Sequence, residues 1–293
     1  MPGHNSAFAY ANGTPRNRPG LQDPEQLAQI ERDLSYLRIV DIADGEAPPA
    51  VYGQFDLPHL QAVHHFIFQD VYEWAGRTRD ETVEIEGRPY RAHPLIYKDD
   101  GLTRQPFIPA PQLRRRINRT LNDLNTQHHL QHLNRQNFAD SAALVFAEIN
   151  AAHPFLEGNG RAQREFLRQL AAQAGHPMHF DVVSQERMSV LSVQARLGDP
   201  AGMQQLFREL VDPARTGLLA LAERYLEREF IDWNTKLIST TVAGQRYIGQ
   251  IAVSSPRLVV LKSGTEILVA QRRDLPDTPV IPGSMVEFIA TPF

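Results

Sequence analysis

The twelve residues from His153 to Arg164 combine the side chains that a phosphate-transferring site needs. The imidazole of His153 can accept a proton near neutral pH. One carboxylate, Glu157, is enough for Mg2+, which takes its other ligands from phosphate and water. The glycines let backbone N–H groups surround an anion, and the helix predicted over 161–170 directs its positive end at that turn. Since arginine forks also suit phosphate oxygens, the stretch predicts a polyphosphate site.

The same stretch resembles the signature of the Fic family, His-x-Phe-x-(Asp/Glu)-Gly-Asn-Gly-Arg-x-x-Arg, with every specified position filled. Fic proteins mostly transfer the AMP part of ATP to a hydroxyl of a target protein. The resemblance therefore implies a protein adenylyltransferase that uses ATP and Mg2+. Two alternatives stay open. The same site would transfer another nucleotide, a phosphate or a phosphocholine group, or the chain would be a non-catalytic protein-binding module. The intact His153 and Glu157 argue against the second.

The resemblance also implies a role for each residue. His153 would be the general base for a Ser, Thr or Tyr hydroxyl of the target, and Glu157 would hold Mg2+. Asn159 would contact the α-phosphate, and Arg161 and Arg164 would neutralise the β- and γ-phosphates. The full nucleotide-binding set, in which Phe155 anchors the loop in the core, is Phe155, Gly158, Asn159, Gly160, Arg161 and Arg164. A buried histidine before a glycine turn and a basic helix face would explain parts of the string, but not all of it.

The elements that must position this stretch read mainly as helices. Leucines and isoleucines recur at helical spacing after a capped start at Asp23-Pro24, and Pro154 predicts that the preceding helix stops at the catalytic loop. The segment Trp74-Ala75-Gly76, followed by Arg77 and Arg79, also resembles Fic sequences. The first predicted helix starts at 23. The others cover 57–74, 113–133, 138–152, 161–170, 184–197, 200–210 and 216–233. Fic domains are likewise helical bundles with one hairpin.

After residue 233 the pattern changes to short β-rich runs separated by Ser, Gly and Pro turns, about five strands in all. The fold class predicted is mainly α: a flexible tail (1–20), a Fic-type helical bundle with a β-hairpin flap (21–233) and a small β-barrel, OB-like domain (234–293). This order resembles Bep-type effectors, which bacteria inject into host cells by type IV secretion and which carry a further secretion domain. The expected location is the bacterial cytoplasm, and the resemblance to Bep-type effectors adds translocation into a host cell by type IV secretion as a second expected location.

Two hairpin patterns lie between the second and third helices. Residues 82–91 alternate apolar and polar around Gly87, and residues 94–108 contain the turn Asp99-Asp100-Gly101. In Fic proteins a hairpin called the flap holds the target segment by strand-like pairing. The flap is placed here within 94–108, where main-chain pairing would fix the target hydroxyl. A structural hairpin that merely covers the core is the alternative.

Regulation and other partners follow from weaker signals. Many Fic proteins are inhibited by a helix carrying (Ser/Thr)-x-x-x-Glu-(Gly/Asn). Residues 82–87 fit this string, but their alternation is that of a strand, so control by a small antitoxin-like protein is the better hypothesis. His128, His129 and His132 are interpreted as a solvated helix face rather than a metal site. The arginines at 114–116 and 119 are interpreted as a solvent-facing helix start.

Composition excludes several classes of protein. The chain has 293 residues, a formal net charge of -4 and no cysteine. It therefore has no disulfide framework or thiolate metal site, and no general attraction to nucleic acid or anionic membranes. The first twenty residues lack the apolar core of a secretory signal, and no apolar run reaches the length of a membrane span. Neither Sec export nor membrane insertion is expected, and nucleic acid is not an expected partner.

Overall fold

A computed structural model describes residues 8–85, 87–92, 95, 106–276 and 281–293. This part of the chain contains eight α-helices, a two-stranded hairpin and a separate five-stranded sheet, which confirms the predicted fold class. The helices are α1 (Pro24–Ala43), α2 (Leu57–Phe68), α3 (Ala110–Thr126), α4 (Arg135–Ala152), α5 (Asn159–Gln173), α6 (Gln185–Arg196), α7 (Ala201–Leu210) and α8 (Pro213–Arg228).

Helices α1 and α2 each begin after an aspartate that has extended backbone and caps the helix. The side chain of Asp23 accepts hydrogen bonds of 2.9 Å from the N–H groups of Glu25 and Gln26, which confirms the predicted start of α1. Asp56 caps α2 in the same way. Helix α2 carries a fully buried row of Leu60, Val63 and Ile67. It ends at Phe68, six residues before the predicted end, in tight turns in which the Phe68 carbonyl accepts from two later N–H groups.

The predicted helix 113–133 is wrong at its C-terminal end. Helix α3 stops at Thr126, and His128, His129, Leu130 and His132 all have positive φ angles, between 50° and 68°. A helix cannot continue through residues with left-handed backbone. His129 therefore does not lie on a solvated helix face: its ring packs against Phe55 with 5.3 Å between centroids. No cluster of three metal-binding side chains was found among the described residues.

The hairpin predicted over 82–91 is confirmed. Strands β1 (Thr82–Ile85) and β2 (Arg88–Arg91) pair antiparallel, with Val83 opposite Tyr90 and Gly87 at φ 73° in the turn. Of the residues that fit the inhibitory string, Thr82–Ile85 are thus in a strand rather than on a helix. The flap placed within 94–108 lies outside the described residues, apart from Leu95 and residues 106–108.

The C-terminal sheet contains β3 (Leu237–Thr240), β4 (Arg246–Ser254), β5 (Leu258–Ser263), β6 (Glu266–Gln271) and β7 (Met285–Ile289). Their order is β3-β6-β5-β4-β7, antiparallel except for the parallel pair β3 and β6. The four residues from Leu258 to Leu261 are fully buried. This continuous apolar run is typical of a strand covered on both faces.

The chain divides into two compact units, Met1–His132 with Leu144–Gly175, and Leu133–Ala143 with His176–Phe293. Within the first unit, the proposed tail makes backbone hydrogen bonds. Arg16 N–H donates to the Phe8 carbonyl within the tail, and Arg18 N–H donates to the carbonyl of Val71 outside it. The domain boundary at 233 stays a prediction. In the part of the chain that the structure describes, no helix has both the length and the apolar character needed to cross a membrane.

Candidate active site

The loop between α4 and α5, residues 153–158, carries the predicted base. Helix α4 ends at Ala152, as Pro154 predicts, and His153 has a positive φ of 46°. Its ring lies flat against Phe107, with 3.8 Å between centroids and 12° between planes. Such a backbone conformation is strained in a residue with a side chain and persists only where the surroundings hold it. The partners of the loop are therefore part of the site.

Arg79 holds the start of the loop. Its Nε donates to the His153 carbonyl at 2.7 Å and its Nη2 to that of Ala152 at 2.9 Å and to that of Ile108. Its backbone N–H donates to the Pro154 carbonyl at 2.8 Å. The side chain is almost entirely buried, and burial lowers the pKa of Arg79 to about 10. A guanidinium that remains charged at neutral pH thus fixes the backbone at Ala152 and His153, and the N–H of Arg79 fixes it at Pro154.

His64 of α2 holds the other end of the loop. The N–H of Gly76 donates to Nδ1 at 2.9 Å, so the proton is on Nε2, which donates to the Glu157 carbonyl at 2.8 Å. The ring stacks on Phe155 with 3.8 Å between centroids. Complete burial lowers the pKa of His64 to about 3, which keeps the ring neutral at any working pH. His64 thereby sets the backbone position of Glu157, which is itself exposed to solvent.

Asn159, the first residue of α5, closes the loop internally. Its Oδ1 accepts from the Phe155 N–H at 2.9 Å, and its Nδ2 donates to the Phe155 carbonyl at 2.8 Å. Asn159 is buried, and Phe155 is 1% exposed, as expected for an anchor. One N–H of the Asn159 amide is left after these bonds, so its contact with an α-phosphate stays a prediction.

Gly158 precedes α5 in a conformation that only glycine adopts easily, with φ 78°. A Cβ there would lie 2.4 Å from the ring of Phe68. No side chain in the part of the chain that the structure describes caps this helix, and N–H groups at such a helix start can bind an anion. A Cβ at Gly160 would meet only the end of the Arg164 side chain, at 3.1 Å. Gly158 is therefore the glycine that the loop requires sterically.

The two signature arginines differ in their surroundings. The guanidinium of Arg161 donates to the Glu31 carboxylate, to Ser35 Oγ at 2.7 Å and to the Glu31 carbonyl at 3.4 Å, and lies 4.7 Å from the ring centre of Phe68. The surface of Arg164 is half-buried, and no acidic side chain pairs with it among the described residues. Burial, and then repulsion from Arg161, lower the pKa of Arg164 to about 10. An anion next to Arg164 would relieve both effects.

The loop and the first turns of α5 thus bring together all the residues predicted from the signature. Sequence reasoning missed Glu31 and His64, which act from 130 and 93 residues away in the chain. Arg79 entered the sequence analysis only in the segment after Trp74 that resembles Fic sequences, without a role of its own. The signal for His64 was a histidine on the apolar face of a helix, which more often indicates a core residue.

Comparison with known proteins matches residues 54–171 to the Fic/DOC family model. The chain is 30% identical over 199 residues to a "Probable protein adenylyltransferase Fic" of Escherichia coli, covering 68% of this chain and 88% of that protein. It is 31% identical over 196 residues to "Protein adenylyltransferase VbhT" of Bartonella schoenbuchensis. That match covers 67% of this chain but only 37% of VbhT, so the chain spans little more than a third of that relative.

Solved structures give the same family resemblance. The "Type IV secretion system effector protein BepA" superimposes with a TM-score of 0.88 and 26% identity, covering 98% of this chain and 96% of that one. BepC of Bartonella tribocorum, solved with bound AMPPNP, has a TM-score of 0.65 and 31% identity, covering 71% of this chain and 97% of its own. The likeness to BepA includes the sheet after the helices.

Proposed function

The chain belongs to the Fic/DOC family, and from this premise we propose that it is a protein adenylyltransferase, moving AMP from ATP to a Ser, Thr or Tyr hydroxyl of a target protein. The observation that carries the proposal is the arrangement of the loop. Within twelve residues there follow a strained histidine, the N-terminus of α5, and an arginine. Among the described residues, no side chain caps that N-terminus and no acidic side chain pairs with that arginine. This set suits a base beside a polyphosphate.

In the proposed reaction the target hydroxyl oxygen attacks the α-phosphorus of ATP. A new oxygen–phosphorus bond forms, and the bond between the α-phosphorus and the oxygen bridging to the β-phosphate breaks, so that pyrophosphate leaves. His153 takes the hydroxyl proton. Arg164, with Arg161, carries positive charge towards the leaving phosphates, and the N–H groups at the start of α5 face the transferred group. Because Arg79 and His64 fix the loop beforehand, little reorganisation accompanies the reaction.

Glu157 is the residue proposed to hold Mg2+. Its exposed position, just before the N-terminus of α5, and its hard oxygen ligand fit an ion that needs one carboxylate and takes phosphate oxygens for the rest. When bound, Mg2+ would neutralise charge on the phosphates.

The target-binding segment, the inhibitory protein and the cellular location are proposed because this chain resembles its relatives. BepA is described as a type IV secretion effector, which supports translocation of this chain from the bacterial cytoplasm into a host cell. We place the target on the segment 94–108, of which Phe107 stacks on the base. A small antitoxin-like protein is the proposed inhibitor.

The test is transfer of label to proteins of a bacterial or host lysate. Label from α-labelled ATP and none from γ-labelled ATP identifies AMP transfer, and mass spectrometry of the labelled band identifies the acceptor. The reverse pattern would indicate phosphate transfer. We expect His153→Ala to lower the rate by a factor of about 100 to 10,000 while AMPPNP binding persists. Glu157→Gln should instead weaken Mg2+-dependent binding. A wild-type rate in His153→Ala would show that the base is misassigned.

A further inference from the structure

Glu31 lies on α1, far in sequence from the signature, yet it touches the first signature arginine. Its Oε1 accepts a hydrogen bond from Arg161 Nη2, and its backbone carbonyl accepts one from Nη1 at 3.4 Å. One turn later on α1, Ser35 Oγ accepts from Nη1 at 2.7 Å. The side chains of Arg161 and Glu31 are 24% and 16% exposed, so solvent screens this ion pair only partly.

The carboxylate of Glu31 is itself held in place. Its Oε2 accepts from the hydroxyl of Tyr72, whose ring stacks on Trp74 with 4.2 Å between centroids. Burial, with the negative charge of Glu31, raises the pKa of Tyr72, so the hydroxyl keeps its proton and remains a donor. Ser35 has a fixed direction as well, because its Oγ donates to the Arg32 carbonyl at 3.1 Å. These contacts fix the carboxylate before any ligand binds.

A guanidinium has five N–H groups, and these contacts use three of those on Arg161. Nε–H and one Nη2–H remain, enough for a two-point grip on one phosphate. The ring of Phe68 under the guanidinium, 4.7 Å from its centre, restricts its tilt. Arg161 pairs with the negative Glu31 and repels Arg164, and both arginines lie in the first turns of α5.

We propose that Glu31 is a positioning residue for the nucleotide: its carboxylate aims Arg161 at the phosphates through contacts made across α1, α2 and α5. This inference rests on the proposed function, because it assumes that Arg161 meets a polyphosphate. Glu31 does not touch the nucleotide. Its effect passes entirely through Arg161, and this distinguishes it from a residue that merely stabilises the fold.

The experiment measures AMPPNP affinity by calorimetry in the presence of Mg2+, together with KM and kcat for ATP. Glu31→Gln keeps the shape and one acceptor but removes the charge. We expect the dissociation constant and KM to rise about tenfold, the size of one lost charge-assisted contact, with kcat within about twofold. In an Arg161→Met background, titrated to high AMPPNP concentration, the same change should have no further effect.

Asp70→Asn is the matched control. Asp70 accepts from Arg38 Nε at 2.7 Å and so ties α1 to the end of α2, but it does not touch Arg161. It should leave AMPPNP affinity unchanged. The proposal is overturned if Glu31→Gln binds AMPPNP like the wild type, if it still weakens binding tenfold beside Arg161→Met, or if Asp70→Asn weakens binding equally. Wild-type protein that does not bind AMPPNP would instead contradict the proposed function.

Discussion

The catalytic loop and the C-terminal sheet are held by different forces. The loop is fixed by a few directional bonds from buried polar side chains, chiefly Arg79, His64 and Asn159, to its backbone. The sheet is held by its ladder and by an apolar cluster that includes Val259, Leu261 and Leu268. Apolar packing tolerates exchange among residues of similar volume, whereas a bond to a particular carbonyl does not. Changes in the loop's support should therefore alter chemistry, and changes in the sheet should alter stability alone.

The largest expected effect comes from Arg79→Met. The change removes the side-chain donor from three carbonyls that are buried or partly buried, and it releases His153 from its strained conformation. We expect kcat/KM for AMP transfer to fall at least about 100-fold, because a displacement of the base by about 1 Å is enough for such a loss. Arg77→Met, two residues away and exposed, should leave the rate unchanged. Equal rates in the two variants would show that the loop does not depend on these bonds.

Leu261→Ala tests the sheet. Leu261 is fully buried, and its truncation should lower the free energy of unfolding by about 2–5 kcal/mol. AMPPNP affinity of the folded protein, measured well below the unfolding transition, should not change. Denaturant titration followed by calorimetry checks both quantities, with the exposed neighbour Lys262→Ala as the control. A large loss of affinity without a loss of stability would contradict the comparison.

The smallest expected effect, measured per pH unit, is a change in stability with pH that is due to His64. Its pKa is about 3 in the folded protein, below the usual 6.5, so the unfolded chain binds its proton first on acidification. Its contribution to stability is present above pH 6.5 and is lost as the pH falls towards 3, by up to about 1.4 kcal/mol per pH unit. Urea unfolding between pH 4 and 8 should show a shallower slope in His64→Gln than in the wild type. His65→Gln, an exposed neighbour, should retain the wild-type slope.

Local patterns in the sequence predicted the parts of the fold that depend on local physics. The cap at Asp23, the stop at Pro154 and the hairpin around Gly87 each follow from the steric or hydrogen-bonding preference of a few adjacent residues. The end of α3 could not be predicted in this way. The left-handed residues around His129 have ordinary helix-compatible side chains, and the packing of His129 on Phe55 depends on a segment far away in the chain.

The site shows the same division. The signature predicted which residues gather on the loop, because they are adjacent in the chain. Their support comes from long range: Arg79 reaches His153 across 74 residues, and Glu31 reaches Arg161 across 130. A single sequence contains no periodicity or spacing that links such pairs. These contacts could therefore be found only from the three-dimensional structure.

Because Phe68 contacts both Gly158 and Arg161, a substitution at one of these two positions affects which residues are tolerated at the other. Its ring fills the space that a Cβ at Gly158 would need and also provides the face beneath the guanidinium of Arg161. A larger residue at 158 would require a smaller one at 68, and that compensation would remove the aromatic face from Arg161. Gly158→Ala and Phe68→Ala should thus show epistasis in stability but not in nucleotide affinity. The double variant would recover stability relative to Gly158→Ala but would not recover nucleotide affinity.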